Sequence, residues 1–354
     1  MPEVVSFTAP GKVVLVPYDA LPLAPGSVRV RTWYSGISAG TELTAYRGSN
    51  PYLTRTWDVD RRLFVDPADS SGPTFSYPVE GWGYSEVGEV VEVADGVTDA
   101  GGPAVGDVVH GIWGHRSEAV LPAEAVAWRT WTTDDAVSGT FARVGSIALN
   151  AVLAADVRLG DRVAVFGQGV IGLLATRLAV LAGAEVVAVD MLPRRLETAR
   201  AMGASETVAA DAAGGAGAMV RAWSDGGVDA AIEISGSDRA LHEAIRSVVV
   251  EGLVVASGFY QGAAANLRLG EEFHHNRVRL VASQISGTPV GLGGRWDQPR
   301  LVRTFMSLVR DGRVDTASLV TDVVDAADVA AVFERLDSGD PEILQAVLRF
   351  PGAP

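Results

Sequence analysis

The stretch Val163-Ala-Val-Phe-Gly-Gln-Gly-Val-Ile-Gly172 decides how the second half of this chain folds. It reads as a short apolar strand followed by a Gly-x-Gly-x-x-Gly turn, and the apolar residues after the turn predict a helix over Val170–Leu181. Gly183 ends this helix, and Glu185–Asp190 predicts a second strand that finishes on an acid. Strand, glycine turn, helix, strand and acid in this order are typical of a dinucleotide-binding site.

Each glycine of the turn has a separate physical role. Gly167 allows the tight turn after the strand, Gly169 lets the backbone approach a diphosphate, and Gly172 lets the helix pack closely on the sheet. The diphosphate would lie on amide groups at the helix N-terminus, at Val170 and Ile171, where the helix dipole favours negative charge. The alternative is a glycine-rich helix cap in an unrelated α/β protein, which does not require the flanking strand and acid.

Asp190 indicates which dinucleotide is bound. Its carboxylate is placed to accept both hydroxyls of the adenosine ribose. A 2′-phosphate about 4 Å away would meet a repulsion of about 4 kcal/mol at an effective dielectric near 20, roughly a thousandfold preference for NAD over NADP. Arg194 and Arg195 follow closely, either as solvated residues of the next helix or as charges that soften this penalty, and Arg195 is also expected near the adenosine.

Composition limits the classes of protein to consider. The 354 residues suit two domains, and 48% hydrophobic with 20% charged residues is ordinary for a soluble globular enzyme. A net charge of −14 without a long basic run argues against nucleic acid and anionic membrane surfaces as partners. No run of about eighteen apolar residues and no signal-peptide pattern is evident, so the sequence predicts a cytoplasmic protein.

The chain has no cysteine. This excludes disulfides, cysteine-ligated metals such as zinc knuckles and iron–sulfur clusters, and a thiol nucleophile.

The first 125 residues predict a β-rich domain without helical periodicity. Its predicted strands, separated by turns rich in Pro, Gly and Asp, are residues 12–16, 27–33, 88–93, 107–111 and 118–121. Residues 48–78 are irregular and aromatic, which is typical either of a functional lid or binding loop or of a surface insertion.

From residue 134 the pattern turns helical, and after residue 156 strands and helices alternate. Six strands are predicted, at residues 163–166, 186–190, 207–209, 228–234, 253–257 and 277–283. The fold class is therefore α/β, with a Rossmann doubly wound parallel sheet of six strands. We expect this domain to span residues 151–287, and residues 288–354 to rejoin residues 1–150 in the β-rich domain.

Several further segments carry a family resemblance: 36–42, 83–90, 106–109 and 202–204, together with the glycine turn. With them the chain resembles the medium-chain dehydrogenase/reductase superfamily, on the alcohol and polyol dehydrogenase branch. Segments 273–277, 283–284 and 295–297 are similar to a group near the bacteriochlorophyllide-type dehydrogenases. The resemblance implies a GroES-like β-rich catalytic domain and an NAD(H) site completed by Ser235, Gly258 and Ser283.

The departures from this superfamily concern its metal. Zinc members carry Cys in the first segment, His and Glu in the second, and a third ligand before the dinucleotide fold. Here Ala39, or Ser38 after a one-residue shift, stands at the Cys position, Tyr84 and Ser85 replace the His and Glu, and Arg143 stands near the third ligand. This is not a usual zinc ligand set, and the four-cysteine structural zinc lobe is absent too. We therefore expect a member that uses no zinc.

Without zinc, hydrogen-bond donors must hold the oxygen at which charge develops. Tyr84 matches the metal position best, Thr41 matches the hydroxyl of the family's proton relay, and Thr44 lies at or near the relay His. Arg143 offers positive charge to an oxyanion or an acidic substrate, and His115 lies in a segment that borders the cleft in relatives. Each also has a structural interpretation, as a core aromatic, a turn hydroxyl, an ion-pairing group or a surface imidazole.

Three functions remain open from the sequence. The first is zinc-independent, NAD(H)-dependent interconversion of a secondary alcohol and a ketone. The second is NAD(P)H-dependent reduction of an activated C=C bond, as in enoyl and quinone reductases. The third is a cofactor-binding protein without turnover, and redox-neutral use of bound NAD is a further possibility.

The substrate is expected to be a fairly bulky small molecule, because the aromatics of residues 52–77 and Trp296 suit a roomy apolar pocket. Family likeness also implies a homodimer.

Overall fold

A computed structural model describes residues 1–69 and 72–354. The chain forms two compact units, one of residues 1–143 with 316–354 and the other of residues 144–315. The expected boundaries at 150/151 and 287/288 both fall inside the second unit. A physical reason is that a Cβ at Gly145 would lie only 2.1 Å from the Phe305 ring, so backbone and ring are in direct contact. The expected rejoining of the tail holds from Thr316 onward.

The second unit, described in full, contains one sheet. With elements numbered along the whole chain, its strands are β10 Arg162–Phe166, β11 Glu185–Asp190, β12 Glu206–Ala209, β13 Val228–Glu233, β14 Val248–Ala256 and β15 Arg279–Ala282. Its helices are α3 Ala142–Ala154 (which begins two residues earlier), α4 Val170–Leu181, α5 Pro193–Ala201, α6 Ala216–Trp223, α7 Asp238–Ser247 and α8 Gln298–Arg310.

The strand order of this sheet is β12-β11-β10-β13-β14-β15, and all neighbours are parallel. This is the predicted doubly wound arrangement. The order reverses at β10 and β13, and ligands of such sheets bind beyond the carboxyl ends of the strands at this switch point. β10 and β11 are almost continuously apolar and buried, because helices cover both faces of a parallel sheet.

The first unit is β-rich, as predicted. Its strands are β1 Glu3–Ala9, β2 Lys12–Pro17, β3 Ser27–Gly36, β4 Thr56–Asp58, β5 Leu63–Val65, β6 Val79–Glu80, β7 Glu86–Val93, β8 Val108–Gly111, β9 Glu118–Pro122, β16 Val320–Asp325 and β17 Gln345–Arg349. Among the described residues the main sheet runs β16-β17-β3-β7-β8, with β9 also paired to β3. A smaller sheet has the order β2-β1-β6.

The first unit also contains helices that the sequence did not predict. They are α1 Ala39–Arg47 and α2 Ala123–Val126. The described part of the tail adds α9 Val329–Asp337, where the sequence pattern is helical. α1 matters most because it carries Thr41 and Thr44. It was missed because Gly40 and two threonines weaken its helical pattern.

The aromatic segment 48–78 is more ordered than expected. β4 and β5 form a hairpin. Tyr52 and Phe64 have ring centroids 5.4 Å apart, Trp57 packs edge-on against Phe64, and Phe75 lies between Tyr52 and Trp82. These rings therefore pack on one another, although Phe64 remains exposed and Tyr52, Trp57 and Phe75 are only half-buried. Ser70 and Ser71 of the segment lie outside the described residues.

One helical stretch bears on the expectation that no segment spans a membrane. Within the described part of the chain, the helical stretch Val137–Ala154 is long and apolar enough, by composition, to cross a membrane. However, 72% of it is buried inside the protein, as in a core helix.

Candidate functional site

The glycine turn has the geometry that its sequence predicts. Gly167 adopts φ +95°, a conformation that side chains rarely allow, and a Cβ at Gly172 would lie 1.8 Å from the carbonyl oxygen of Gly167. Gly169, in contrast, has nothing within 4 Å of its Cβ position. α4 begins after Gly169 without a side-chain cap, at Val170 and Ile171, so the first amide groups of α4 fit a diphosphate.

Asp190 is tied directly to this turn. Its side chain is 8% exposed, and its carboxylate accepts the backbone N–H of Gln168 at 2.6 Å and that of Leu192 at 2.9 Å. These bonds fix the carboxylate at the carboxyl end of β11 while leaving each oxygen a further lone pair. The arrangement fits the recognition of a ribose diol.

The other predicted cofactor residues in this unit follow the carboxyl ends of their strands. Ser235 follows β13, Gly258 follows β14, and Ser283 follows β15. A Cβ at Gly258 would lie 2.2 Å from the backbone nitrogen of Gly236, so the turn after β14 touches the turn after β13. The structure therefore brings these residues to the edge of the sheet that carries Gly167 and Asp190. Arg195 lies in α5, and its Nε is buried with no hydrogen-bond partner among the described residues.

Glu233, a fully buried acid at the end of β13, was not predicted as a site residue from the sequence. Its carboxylate accepts the backbone N–H of Ser235 at 2.8 Å and the hydroxyls of Ser235 and Tyr260. Burial raises the pKa of Glu233, although these hydrogen bonds oppose the shift. The available signal was an acid that ends an otherwise apolar strand, just as Asp190 does.

The first unit brings three hydroxyl groups together. The hydroxyl of Tyr84 is hydrogen-bonded to Oγ of Ser38 and donates to Oγ1 of Thr41 at 3.4 Å. Ser38 precedes α1 and Thr41 lies in its first turn, so the start of this helix positions both. Thr44 is separate from this cluster, because its Oγ1 donates to the backbone oxygen of Thr41 and accepts from Asn50.

Tyr84 is a neutral hydrogen-bond donor in this environment. Burial of the hydroxyl raises the pKa of Tyr84 and the negative charge of Glu42 adds to this, whereas Ser38, Thr41 and Arg143 act in the opposite direction. The ring itself remains partly exposed. The phenol can therefore both reach a bound molecule and donate a proton to a hydrogen bond.

A buried polar network supports this cluster. Oε1 of Glu42 accepts the backbone N–H of Ser38 at 2.9 Å, and Oε2 of Glu42 lies 2.7 Å from Nε2 of His115. Nδ1 of His115 lies 2.6 Å from Oγ of Ser35, which donates to Glu86 at 3.1 Å. Burial disfavours a charged His115, but the carboxylates of Glu42 and Glu86 outweigh it and raise the pKa of His115. Burial raises the pKa of Glu86 itself.

This network changes the interpretation of His115. The residue was expected at a cleft, but its side chain is fully buried, so it cannot touch a substrate in this conformation. Glu42, Glu86 and Ser35 were missed altogether. Glu42 and Glu86 stand among apolar residues in the sequence, which could have indicated buried acids. Only the fold shows that both belong to the network around the His115 imidazole.

Arg143 lies at the start of α3 and provides positive charge near Tyr84. Burial lowers the pKa of Arg143, and the interaction with Tyr84 opposes this shift. Arg129 lies nearby, since burial and then Arg143 lower its pKa. Fixed positive charge close to a phenol favours developing negative charge on an oxygen bound there.

The donor set around Tyr84 does not fit the zinc that this fold carries in other proteins. Ala39 has no donor, Tyr84 is a neutral phenol, and Arg143 is a cation. Oγ of Ser85 is buried without a hydrogen-bond partner among the described residues, but one hydroxyl is a poor substitute for thiolate or imidazole.

The proposed pocket residues lie in different units. Trp296 belongs to the second unit, where it lines a cavity of about 340 Å³ together with Leu149, Leu178 and Leu292. The aromatics of residues 52–77 belong to the first unit, where they pack on one another.

This chain is similar in sequence to several known dehydrogenases. Residues 170–301 match the model of the family described as zinc-binding dehydrogenase. The chain is 27% identical to D-guloside 3-dehydrogenase of Escherichia coli K12, over 95% of this chain and 96% of the relative. It is also 27% identical to (R,R)-butanediol dehydrogenase of Bacillus subtilis, over 84% and 85% of the two chains.

The family model thus covers part of the second unit, and over nearly its whole length the chain is similar to oxidoreductases of the dehydrogenase type. The solved 2R,3R-butanediol dehydrogenase of B. subtilis shares the fold, with a TM-score of 0.78, 21% identity and 99% coverage of both chains.

Two further solved structures share the fold and carry cofactors of their own. A zinc-binding dehydrogenase from Sinorhizobium meliloti 1021, bound to NADP, has a TM-score of 0.75 and 21% identity. An alcohol dehydrogenase from E. coli CFT073, complexed with NADH, has a TM-score of 0.74 and 17% identity. Both comparisons cover 99% of this chain and of the other. The pyridine nucleotides are bound by those two proteins, and their likeness to this chain is one of fold.

Proposed function

We propose that this protein is an NAD(H)-dependent oxidoreductase that interconverts a secondary alcohol and a ketone on a fairly bulky small molecule, without catalytic zinc. The observation that carries the proposal is the combination of the Gly167–Gly172 turn geometry with the fixed carboxylate of Asp190. The bound nicotinamide supplies hydride acceptance or donation.

Asp190 supports NAD over NADP. A buried carboxylate held by two backbone N–H groups cannot swing away from a 2′-phosphate, so repulsion is retained. In the proposal, Arg195 contacts the adenosine through the Nε that lacks a partner within the described residues.

Tyr84 supports oxygen chemistry without a metal. In the proposal the Tyr84 proton turns from its long bond with Thr41 to the substrate oxygen, Ser38 orients the hydroxyl, and Arg143 stabilises negative charge on that oxygen. In the proposal His115 does not contact the substrate. It positions Ser38 indirectly, because Glu42 links the imidazole to the backbone N–H of Ser38.

The substrate class rests on the relatives. Guloside 3-dehydrogenase and butanediol dehydrogenase are both named for oxidation at a secondary hydroxyl group. A sugar derivative or another polyol is therefore the proposed substrate, and a cytoplasmic setting is proposed as well.

A homodimer is also proposed. β15 forms an edge of the second unit's sheet, and all four of its residues are exposed, including Leu280 and Val281. An open edge strand with apolar side chains is suited to pairing with a second copy of the chain.

The test is turnover of the purified full chain, followed at the absorbance of reduced nicotinamide. The panel contains hexose glycosides, 2,3-butanediol and a cyclic enone, each with NAD⁺ or NADP⁺ or the reduced form, with and without EDTA. Oxidation of secondary alcohols with NAD⁺ that survives EDTA is the expected result.

Other outcomes would contradict separate parts of the proposal. Loss of activity with EDTA and its recovery with zinc would overturn zinc independence. Reduction of the enone but not of any ketone, with preference for NADPH, would instead establish the C=C reductase. Bound NAD without any hydride transfer would indicate a cofactor-binding protein.

A further inference from the structure

A group of metal-ligating side chains lies away from both sites described above. His242 is in α7, and Glu271 and Glu272 are in an irregular helical turn, Leu269–Phe273, between β14 and β15. One ligand atom from each of the three side chains lies within 4.8 Å of the other two. All three residues belong to the second unit.

Two of these ligand atoms are buried without a partner. Nδ1 of His242 and Oε2 of Glu272 have no hydrogen bond from any described residue. A buried polar atom left unsatisfied costs about 1–3 kcal/mol, so a group that binds both atoms would stabilise the protein. The three side chains each offer a ligand atom within 4.8 Å of the others, so one ion among them can bind all three.

Arg246 does not fill this role. Its Nε lies 3.4 Å from Oε1 of Glu272, which is the other carboxylate oxygen, and its Nη1 binds Glu243 at 2.8 Å. Nη1 of Arg246 contacts both carboxylate oxygens of Glu243, and Oε2 of Glu272 is left without a hydrogen-bond partner among the described residues. Glu271 adds a second, exposed carboxylate.

The backbone explains how two consecutive acids share one site. Glu271 has φ −95° and ψ −126°, which is not helical, so the turn is kinked at this residue. In a regular helix consecutive side chains would point about 100° apart.

We propose that His242, Glu271 and Glu272 bind a divalent transition-metal ion of the zinc class. One imidazole nitrogen and two carboxylate oxygens are the donor set that such ions accept, with water completing the tetrahedron. Ligands at about 2.0–2.2 Å from zinc lie roughly 3.3–3.5 Å from each other. The exposed Glu271 side chain can close the remaining gap by changing rotamer.

This site is distinct from the family's catalytic zinc position, whose counterparts here lie in the first unit. A metal here ties α7 to the turn that precedes β15. Its role is structural, because no residue of the Tyr84 cluster takes part. The proposal stands independently of the proposed function, since either can fail alone.

The experiment is titration of untagged, EDTA-treated full-length protein with Co²⁺ and Zn²⁺, by visible absorption and calorimetry. One ion per chain is expected, with a Co²⁺ spectrum of tetrahedral intensity. His242→Ala and Glu272→Gln are each expected to weaken binding by at least about 10- to 100-fold. His274→Ala is the matched control, because His274 is an exposed neighbour outside the cluster.

Far-UV circular dichroism checks that each variant is folded. If His242→Ala does not fold, Glu272→Gln alone tests the site. No binding by the wild type at millimolar metal would overturn the proposal. Equal binding by wild type and both ligand variants would also overturn it, because the metal would then lie elsewhere.

Discussion

Oε2 of Glu42 lies 2.7 Å from Nε2 of His115, and neither side chain has any exposed surface. The folded protein therefore holds a proton on His115 more tightly than the unfolded chain does. A raised pKa in the folded state means that stability is fully present below the ordinary value of 6.5 and is lost as pH rises through the folded pKa. Glu86 acts in the same direction, because its pKa is raised as well.

We expect the free energy of unfolding to fall above about pH 6.5, by on the order of 1 kcal/mol per pH unit at the steepest. Urea denaturation at several pH values between about 6 and 9 measures this slope. His115→Gln should flatten it, whereas His275→Gln, at an exposed position, should not. An unchanged slope in His115→Gln would remove His115 as the cause.

Tyr84→Phe should lower kcat/KM by about 100-fold or more, because it removes the donor proposed for the substrate oxygen. The ring is retained, so the fold should be unaffected. Tyr46→Phe is the control, since Tyr46 is buried in α1 against Phe333. Steady-state kinetics on the best alcohol of the panel would decide; equal loss in both variants would argue against a specific role.

Asp190→Ser should shift the ratio of kcat/KM for NAD⁺ and NADP⁺ toward NADP⁺, by up to about 1000-fold. Asp190→Asn separates charge from hydrogen bonding, because it keeps an acceptor for the N–H of Gln168. If charge repulsion sets the preference, Asn should produce much of the shift. A preference for NADP⁺ in the wild type would refute the assignment.

Gly169→Ala and Gly172→Ala form a matched pair. The Cβ at position 169 meets open space, so this variant should fold normally but bind NAD weakly, because the methyl group approaches the diphosphate. The Cβ at 172 meets the oxygen of Gly167 at 1.8 Å, so this variant should lose about 1–3 kcal/mol of stability or more. Thermal unfolding with and without NAD distinguishes them, and the reverse pattern would contradict the turn geometry.

Val281→Lys should produce a monomer if β15 pairs with a second copy. Val281 is 39% exposed on this edge strand. Val290→Lys is the control, because Val290 is fully exposed in a loop. Sedimentation velocity gives the oligomeric state, and an unaltered dimer would exclude this edge as the interface.

The sequence alone predicted the sheet of the second unit well. Runs such as 163–166 and 186–190 are apolar, bounded by glycines, and local pattern is sufficient for them. The glycine turn and Asp190 were predicted residue by residue because their spacing is short and their conformations are restrictive. The comparisons support the superfamily, whereas NAD preference and zinc independence stay predictions.

The first unit was harder to predict for a physical reason. Glu42, Glu86 and His115 are far apart in the chain. In a sequence their charged side chains cannot be told from exposed ones until the pairing of the strands is known. α1 was missed because its stability comes from packing of Leu43 and Tyr46 on the core rather than from local propensity. The expected boundary at 287/288 differs from the observed one because α8 belongs to the second unit. The sequence pattern of a helix does not indicate which unit it packs on.

The pairing of β17 between β16 and β3 has a consequence for how the chain is made. Residues 144–315 leave the ribosome as one continuous block and can fold during synthesis. The first unit cannot be completed then, because residues 34–36 of β3 pair with Gln345–Arg349 and its core includes Phe333 and Phe350. The end of β3 therefore stays unpaired on this edge, and this core incomplete, until the last strand is made. This protein is thus expected to need chaperone protection until its last strand emerges.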